Sequence, residues 1–248
     1  MIQIKNLKVS AGDKEILKGV SMDFELGKNY CLLGTNGSGK STLSATLMGS
    51  PKYKIIGGEI TIDGKNLLEL NPEERSKQGL FLSFQNVPEI AGIRLSEYLR
   101  TIYNISLKNA GTDVKELSPF IFKRFIKKYL SELHIDEKFL DRDLNVGFSG
   151  GEKRKIEILQ MKLIGPKYII LDEIDSGLDL DAFRKVAELL QSISNEDNTL
   201  IIITHYFKIL DYIHTDEVYV LKDGEVIKKG GSDLTTEISQ NVFENLLD

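Results

Sequence analysis

The sequence predicts an α/β protein with a mainly parallel sheet, and three observations lead there. Short runs that are apolar throughout, Tyr30–Leu33, Tyr168–Leu171 and Leu200–Ile203, read as strands buried on both faces. Segments with helical patterning lie between such runs, as crossovers between parallel strands require. A glycine loop, Gly34-Thr35-Asn36-Gly37-Ser38-Gly39-Lys40-Ser41-Thr42, follows the first run and opens a stretch of good helix formers, Leu43, Ala45, Leu47 and Met48. That loop fits G-x-x-x-x-G-K-[ST], in the strand–loop–helix context that a phosphate-binding loop needs. The alternative is a glycine-rich turn without ligand.

Along the chain, residues 1–28 alternate and turn like β-hairpins, with polar breaks at Asp13-Lys14 and Gly27-Lys28. Ile60–Ile62 runs into an Asp63-Gly64 turn, and Gly79–Gln85 reads as a buried strand ending in a polar residue. These stretches give an N-terminal antiparallel β part. From 91 to 144 the character becomes helical. Leu95 to Ile102 forms one expected helix and Phe120 to Leu133 a stronger one, with Ser106 to Leu117 as the loop between them. In the second, Phe122, Phe125, Ile126, Tyr129, Leu130 and Leu133 share a face. Lys123, Arg124, Lys127 and Lys128 lie opposite, as a solvated face or a docking surface. Residues 91–144 are therefore expected to form a helical subdomain inserted into an α/β core of 1–90 and 145–248, all within one domain. The core resumes with a helix at Gly151–Ile164, the strand Tyr168–Leu171, a helix at Asp181–Ser192, and the strand Leu200–Thr204. Two last strands flank the Asp223-Gly224 turn.

Composition sets limits. The chain of 248 residues is 41% hydrophobic and 28% charged, with a net charge of −5. That balance argues against general nucleic-acid affinity. No apolar stretch approaches the roughly 20 residues that cross a bilayer, and no targeting segment is visible, so direct membrane insertion is not expected. The single cysteine, Cys31, lies in a buried-looking run and reads as a small core residue rather than a reactive thiol. It excludes an internal disulfide and fits a reducing, cytoplasmic compartment.

The loop glycines reach backbone angles closed to other residues, so that successive N–H groups face an anion at a helix N-terminus. Lys40 is placed to reach the β- and γ-phosphates, and the Ser41 hydroxyl to ligate Mg²⁺. Asp172 and Glu173 end a strand at the edge where α/β sheets bind ligands. That position suits Asp172 to the metal and Glu173 to polarising a water for attack on a phosphate. The bland reading is a pair of acidic strand caps. Phe148-Ser149-Gly150-Gly151-Glu152 carries an S-x-x-E capping box. The two glycines inside it also suit a second anion-binding helix start, which leaves two phosphate surfaces 109 positions apart in one chain.

Taken in order, the phosphate loop, Gln85, Ser149-Gly150-Gly151-Glu152, Ile169–Glu173, Ser176-Gly177-Leu178-Asp179 and Thr204-His205 resemble an ATP-binding-cassette ATPase over the whole chain. In that family two copies sandwich two ATP molecules head to tail, so the second anion surface serves the neighbour's nucleotide. The resemblance implies a P-loop NTPase core of the cassette type. Its ligands would be ATP, held by Gly34–Thr42, and Mg²⁺, held by Ser41, Gln85 and Asp172. Glu173 would be the catalytic base. His205 would contact the γ-phosphate, against the alternative of a strand-end histidine bonded to backbone. Ser149, Gly150, Gly151 and Glu152 would act in trans, and Asp179 would signal between the two sites. Two departures stand out. Where transport ATPases carry an adenine-stacking aromatic, this chain reads Val9-Ser10-Ala11-Gly12-Asp13, which leaves Ile16 or Val20 for aliphatic contact. Glu152 stands where glutamine is common; its capping role gives the carboxylate somewhere to point.

Gly147–Lys155 with Glu157–Met161, Phe84–Gly92, Leu171–Asp179 and Thr204-His205-Tyr206 narrow the resemblance to SufC-type subunits, the ATPases of the Suf iron–sulfur cluster assembly machinery. These imply a soluble scaffold, SufB with SufD or a SufB dimer, rather than a permease, and the scaffold is expected to dock between Gln85 and about Arg100. The alternative is the nucleotide-binding subunit of an ABC membrane transporter.

Overall fold

The computed structural model describes residues 1–111, 115–204, 207–231 and 233–234. The chain divides into two compact units. The first comprises Met1–Phe84, Pro166–Asp175 and the chain from Ser194; the second comprises Gln85–Gly165 and Ser176–Ile193.

The first unit begins with a long hairpin, β1 (Ile2–Ala11) and β2 (Lys14–Phe24), followed by β3 (Tyr30–Gly34) and α1 (Lys40–Leu47). Then come β4 (Lys54–Ile62), the short β5 (Lys65–Asn66), α2 (Pro72–Lys77) and β6 (Leu80–Ser83). β6 ends two residues earlier than the sequence suggests: Phe84 is 51% exposed and Gln85 lies beyond the strand. The second unit contains β7 (Ile90–Arg94), α3 (Leu95–Asn109), α4 (Pro119–Glu132), β8 (Asp143–Leu144), α5 (Gly150–Ile164) and α6 (Leu180–Ile193). The first unit is completed by β9 (Tyr168–Asp172), β10 (Thr199–Ile203), β11 (Glu217–Lys222) and β12 (Glu225–Gly230).

Two sheets build the first unit. One has the order β2-β1-β4-β5 and is antiparallel; the other has the order β12-β11-β3-β10-β9-β6. In the second sheet only the β11–β12 pair is antiparallel. The apolar runs have a simple cause. Along β3, Tyr30 and Leu32 enter the core shared with the antiparallel sheet, while Cys31 and Leu33 enter a smaller one with Val218 and Val220. Both faces are covered, so no polar alternation survives. Phe24, Tyr30 and Tyr219 meet in the larger core, Phe24 edge-on to Tyr30 at 5.0 Å between ring centres. Cys31 is fully buried, and burial pushes its thiol pKa upward. It is a core residue and a poor nucleophile.

In the second unit, α3 runs seven residues beyond Ile102, so Ser106–Asn109 are helical rather than loop. Buried Asn104 explains the extension. Its amide accepts the Leu117 N–H at 3.0 Å and donates to the Leu117 carbonyl at 3.3 Å, tying the returning chain to the helix. α4 buries Phe122, Ile126 and Leu130 and exposes Lys123, Arg124, Lys127 and Lys128. Lys123 pairs with Asp141 and Lys127 with Glu137, ion pairs of a solvated face. The unit reaches beyond 91–144 because α5 packs on α3, α4 and α6 and brings Gly150–Ile164 and Leu180–Ile193 with it.

Candidate functional site

In the first unit, β3, β9 and β10 run parallel, so Gly34, Asp172 and Ile203 all lie at the carboxyl ends of their strands. The loop after β3 is shaped by close approaches. A Cβ on Gly34 would sit 2.4 Å from the Leu221 carbonyl oxygen and 2.6 Å from Ser38 Oγ. Gly39 has φ +109°, and a Cβ there would meet Leu17 at 2.6 Å. Thr35, Asn36 and Gly37 form an exposed tip, while Ser38, Gly39 and Lys40 are buried. Gly39 caps α1 without any side-chain hydrogen bond, which leaves the helix start without a side-chain partner.

Lys40 is 4% exposed, and its ammonium donates to the carbonyls of Gly34 at 2.8 Å and Thr35 at 2.9 Å. Burial lowers its pKa, against the opposing pull of the Glu173 and Asp172 carboxylates. Asp172 is bracketed by α1. Ser41 Oγ donates to its Oδ1 at 3.2 Å and Ser44 Oγ to its Oδ2 at 2.8 Å. Burial raises the Asp172 pKa, the two hydroxyls and Lys40 lower it, and Glu173 raises it further. Ser44 was not anticipated from sequence. Its signal is spacing: it lies three positions after Ser41 on a helix, so both hydroxyls share a face.

Glu173 adopts φ +48°, a left-handed conformation costly for a residue with a Cβ. Its N–H bonds the Ile203 carbonyl at 2.8 Å, and Thr204 Oγ1 donates to Asp175 at 3.1 Å. The chain thus turns sharply at the strand end, and β10 pins the turn. Lys40, Ser41, Asp172 and Glu173 are brought together in this one unit. His205 lies outside the described residues. Val20 is fully buried in the core and unavailable to an adenine; Ile16 is half-buried, and its carbonyl lies 3.7 Å from the position of a Cβ on Gly39.

The chemistry of the first unit fits a magnesium–triphosphate ligand. Ser41 and Asp172 offer hard oxygens to a divalent cation. Ser38 Oγ is buried without a hydrogen-bond partner inside the loop, a polar atom that an anion in the cradle would satisfy.

Gln85, Ser149–Glu152 and Asp179 belong to the second unit. At the start of α5 both bonds of the capping box are made. Glu152 accepts the Ser149 N–H at 2.7 Å, and Ser149 Oγ accepts the Glu152 N–H at 3.3 Å. The glycines have a packing role as well: a Cβ on Gly150 would lie 3.3 Å from the Gly177 carbonyl oxygen, and one on Gly151 3.4 Å from Ala182. Asp179 caps α6, its Oδ1 accepting the Ala182 N–H at 2.8 Å.

A protein-family model described as ABC transporter matches residues 17–176. A probable ATP-dependent transporter, ycf16, of Cyanophora paradoxa is 48% identical over 238 residues, covering 96% of this chain and 91% of the relative. A probable ATP-dependent transporter named SufC, of Escherichia coli strain K12, is 43% identical over 243 residues, covering 98% and 97%. Among solved structures, a dimeric bacterial ABC transporter cassette superposes with a TM-score of 0.75 at 24% identity, covering 93% of this chain and 98% of that one. Among the described residues, no helix is long and apolar enough to cross a membrane.

Proposed function

The chain belongs to the ATP-binding-cassette family of ATPases, and from that premise we propose that it hydrolyses MgATP between two head-to-tail copies to remodel a SufB/SufD-type scaffold during iron–sulfur cluster assembly. The observation that carries the chemistry is the Asp172 carboxylate, bracketed by Ser41 and Ser44 beneath a lysine-bearing loop. Ser41 and Asp172 would hold a magnesium ion, which would neutralise phosphate charge and orient the triphosphate, and the family resemblance gives Gln85 as a further ligand. Lys40 exchanges the Gly34 and Thr35 carbonyls for phosphate oxygens, which gives a buried charge anionic hydrogen-bond partners in place of neutral ones. The open start of α1 takes up negative charge on the phosphates. Glu173 takes a proton from the attacking water, and His205 steadies that water. Ser149, Gly150 and Gly151 of the second copy close over the γ-phosphate, and Asp179 relays the state of one site to the other.

The scaffold assignment is supported by 43% identity to the relative named SufC and by an available surface. β7, a few residues after Gln85, exposes Ile90 (38%) and Ile93 (43%). A soluble partner contacting these residues senses nucleotide state through the same loop. The test is co-purification of the tagged chain with its partners, with charge substitutions at Ile90 and Ile93. A SufB/SufD-type scaffold is expected from the wild type and its loss from the variants. Capture of an integral permease in its place overturns the scaffold reading in favour of transport. Unchanged scaffold capture by the variants removes the docking surface.

A further inference from the structure

The loop that begins at Gln85 is fastened to the start of α5 from both sides of Ser149. After Ser149, Arg154 is 3% exposed and forms a buried ion pair with Glu157, Nη1 to Oε2 at 2.6 Å. Its other terminal nitrogen, Nη2, donates to the Gln85 carbonyl at 3.0 Å. Lys153 pairs with Glu89 at 2.7 Å. Before Ser149, buried Asn145 has φ +61° and donates from Nδ2 to the Pro88 carbonyl at 2.9 Å, with its Oδ1 buried and unbonded. Three side chains from 145–154 therefore hold the backbone and flank of 85–89, all within the second unit.

A buried ion pair is a poor way to gain stability, because desolvation offsets most of the Coulomb attraction. Its value here is geometric. A guanidinium is a rigid planar fork, so fixing one nitrogen on Glu157 fixes where the other points. A lysine has one nitrogen and no such constraint. The left-handed backbone and the unbonded amide oxygen at Asn145 are a second cost retained at the same loop.

We propose that Arg154 is a positioning residue for Gln85, fixing the metal-ligand loop to the start of α5 with Asn145 as its second anchor. The inference rests on Gln85 being a magnesium ligand, as proposed above. It explains how the helix that meets a neighbour's nucleotide and the loop that meets the chain's own metal stay in register.

The experiment measures metal binding without turnover. In a Glu173→Gln background with ATP, Mn²⁺ binding is titrated by the electron-paramagnetic-resonance signal of the free ion. Nucleotide affinity is measured separately with a fluorescent ATP analogue in chelator. Gln85→Ala is expected to weaken Mn²⁺ binding about tenfold, and Arg154→Lys by a similar factor, as for other residues that orient a metal ligand. Metal-free nucleotide affinity is expected to stay within about twofold, since no phosphate contact is touched. Asn145→Ala is expected to give a smaller loss in the same direction. Should Arg154→Lys fold poorly, Arg154→Met with Glu157→Leu removes both charges at similar volume, and the same loss is expected. Mn²⁺ binding unchanged in the Arg154 variants but weakened in Gln85→Ala overturns the positioning role alone. Mn²⁺ binding unchanged in Gln85→Ala overturns the ligand assignment, and the inference falls with it.

Discussion

Among the described residues, two helices begin at glycine-rich stretches, and they begin differently. α1 starts from Gly39 with no side-chain cap. α5 starts from Ser149 with both bonds of a capping box in place and a carboxylate, Glu152, seated on its first turn. An uncapped start keeps its N–H groups for a ligand, and Lys40 waits on carbonyls that it can leave. A capped start already has a negative partner. The difference fits a division of labour in which one surface binds triphosphate in the single chain. Under the proposed function the other would meet phosphate only when a second copy supplies it.

The sharpest break in that comparison is chemical. Lys40→Ala is expected to abolish both nucleotide binding and hydrolysis, because the buried charge facing the phosphates is gone. Glu173→Gln keeps the shape and the hydrogen-bonding length but cannot take a proton. Its hydrolysis rate is expected to fall about 10²- to 10⁴-fold, with nucleotide affinity retained. Phosphate release and equilibrium binding of a fluorescent ATP analogue separate the two variants. Near-normal turnover by Glu173→Gln would remove the base assignment.

The same substitution type at the capped helix gives a middle-sized effect of another kind. Ser149→Ala removes a cap worth about 1 kcal/mol, a melting-temperature fall of about 2–4 °C for a chain of this size. Turnover is expected to drop while nucleotide binding by the isolated chain stays unchanged, since under the proposed function α5 serves the neighbour's site. A loss of single-chain affinity would mean that the signature acts within its own subunit.

How much of this was legible in the sequence follows from how local each cause is. The glycine loop after β3, the strands around Tyr30–Leu33, Tyr168–Leu171 and Leu200–Ile203, and the capping box are short-range patterns, and they fold as read. Ser44 was missed because its spacing from Ser41 puts two hydroxyls on one helix face without belonging to any motif, and its distance to Asp172 is what gives that face its meaning. The extent of α3 was missed because Ser106, Lys108 and Asn109 are polar, and the Asn104–Leu117 pairing that holds the end of the helix joins residues 13 apart. The left-handed backbone at Glu173 has no sequence signature at all, since non-glycine residues enter that region only when tertiary contacts, here the N–H bond to Ile203, enforce it. Arg154 lies between two lysines in sequence, and only the convergence of Glu157 and Gln85 on it makes it a buried fork.

The smallest expected effect is the most discriminating. Glu152→Gln keeps the capping box, because glutamine at that position also accepts the Ser149 N–H. It removes a negative charge from the first turn of α5, where a carboxylate stabilises the helix by about 0.3–1 kcal/mol. Two consequences of opposite sign follow. The isolated chain loses that small stability, seen as a slight fall in melting temperature. The helix start also ceases to repel a neighbour's triphosphate, so ATP-dependent association of two copies tightens by about two- to fivefold. Sedimentation of the Glu173→Gln form with MgATP, with and without the second substitution, reads the association directly. A variant that is less stable yet pairs more tightly places the carboxylate beside an incoming anion. A variant that is less stable and pairs no better leaves α5 as a capped helix and nothing more.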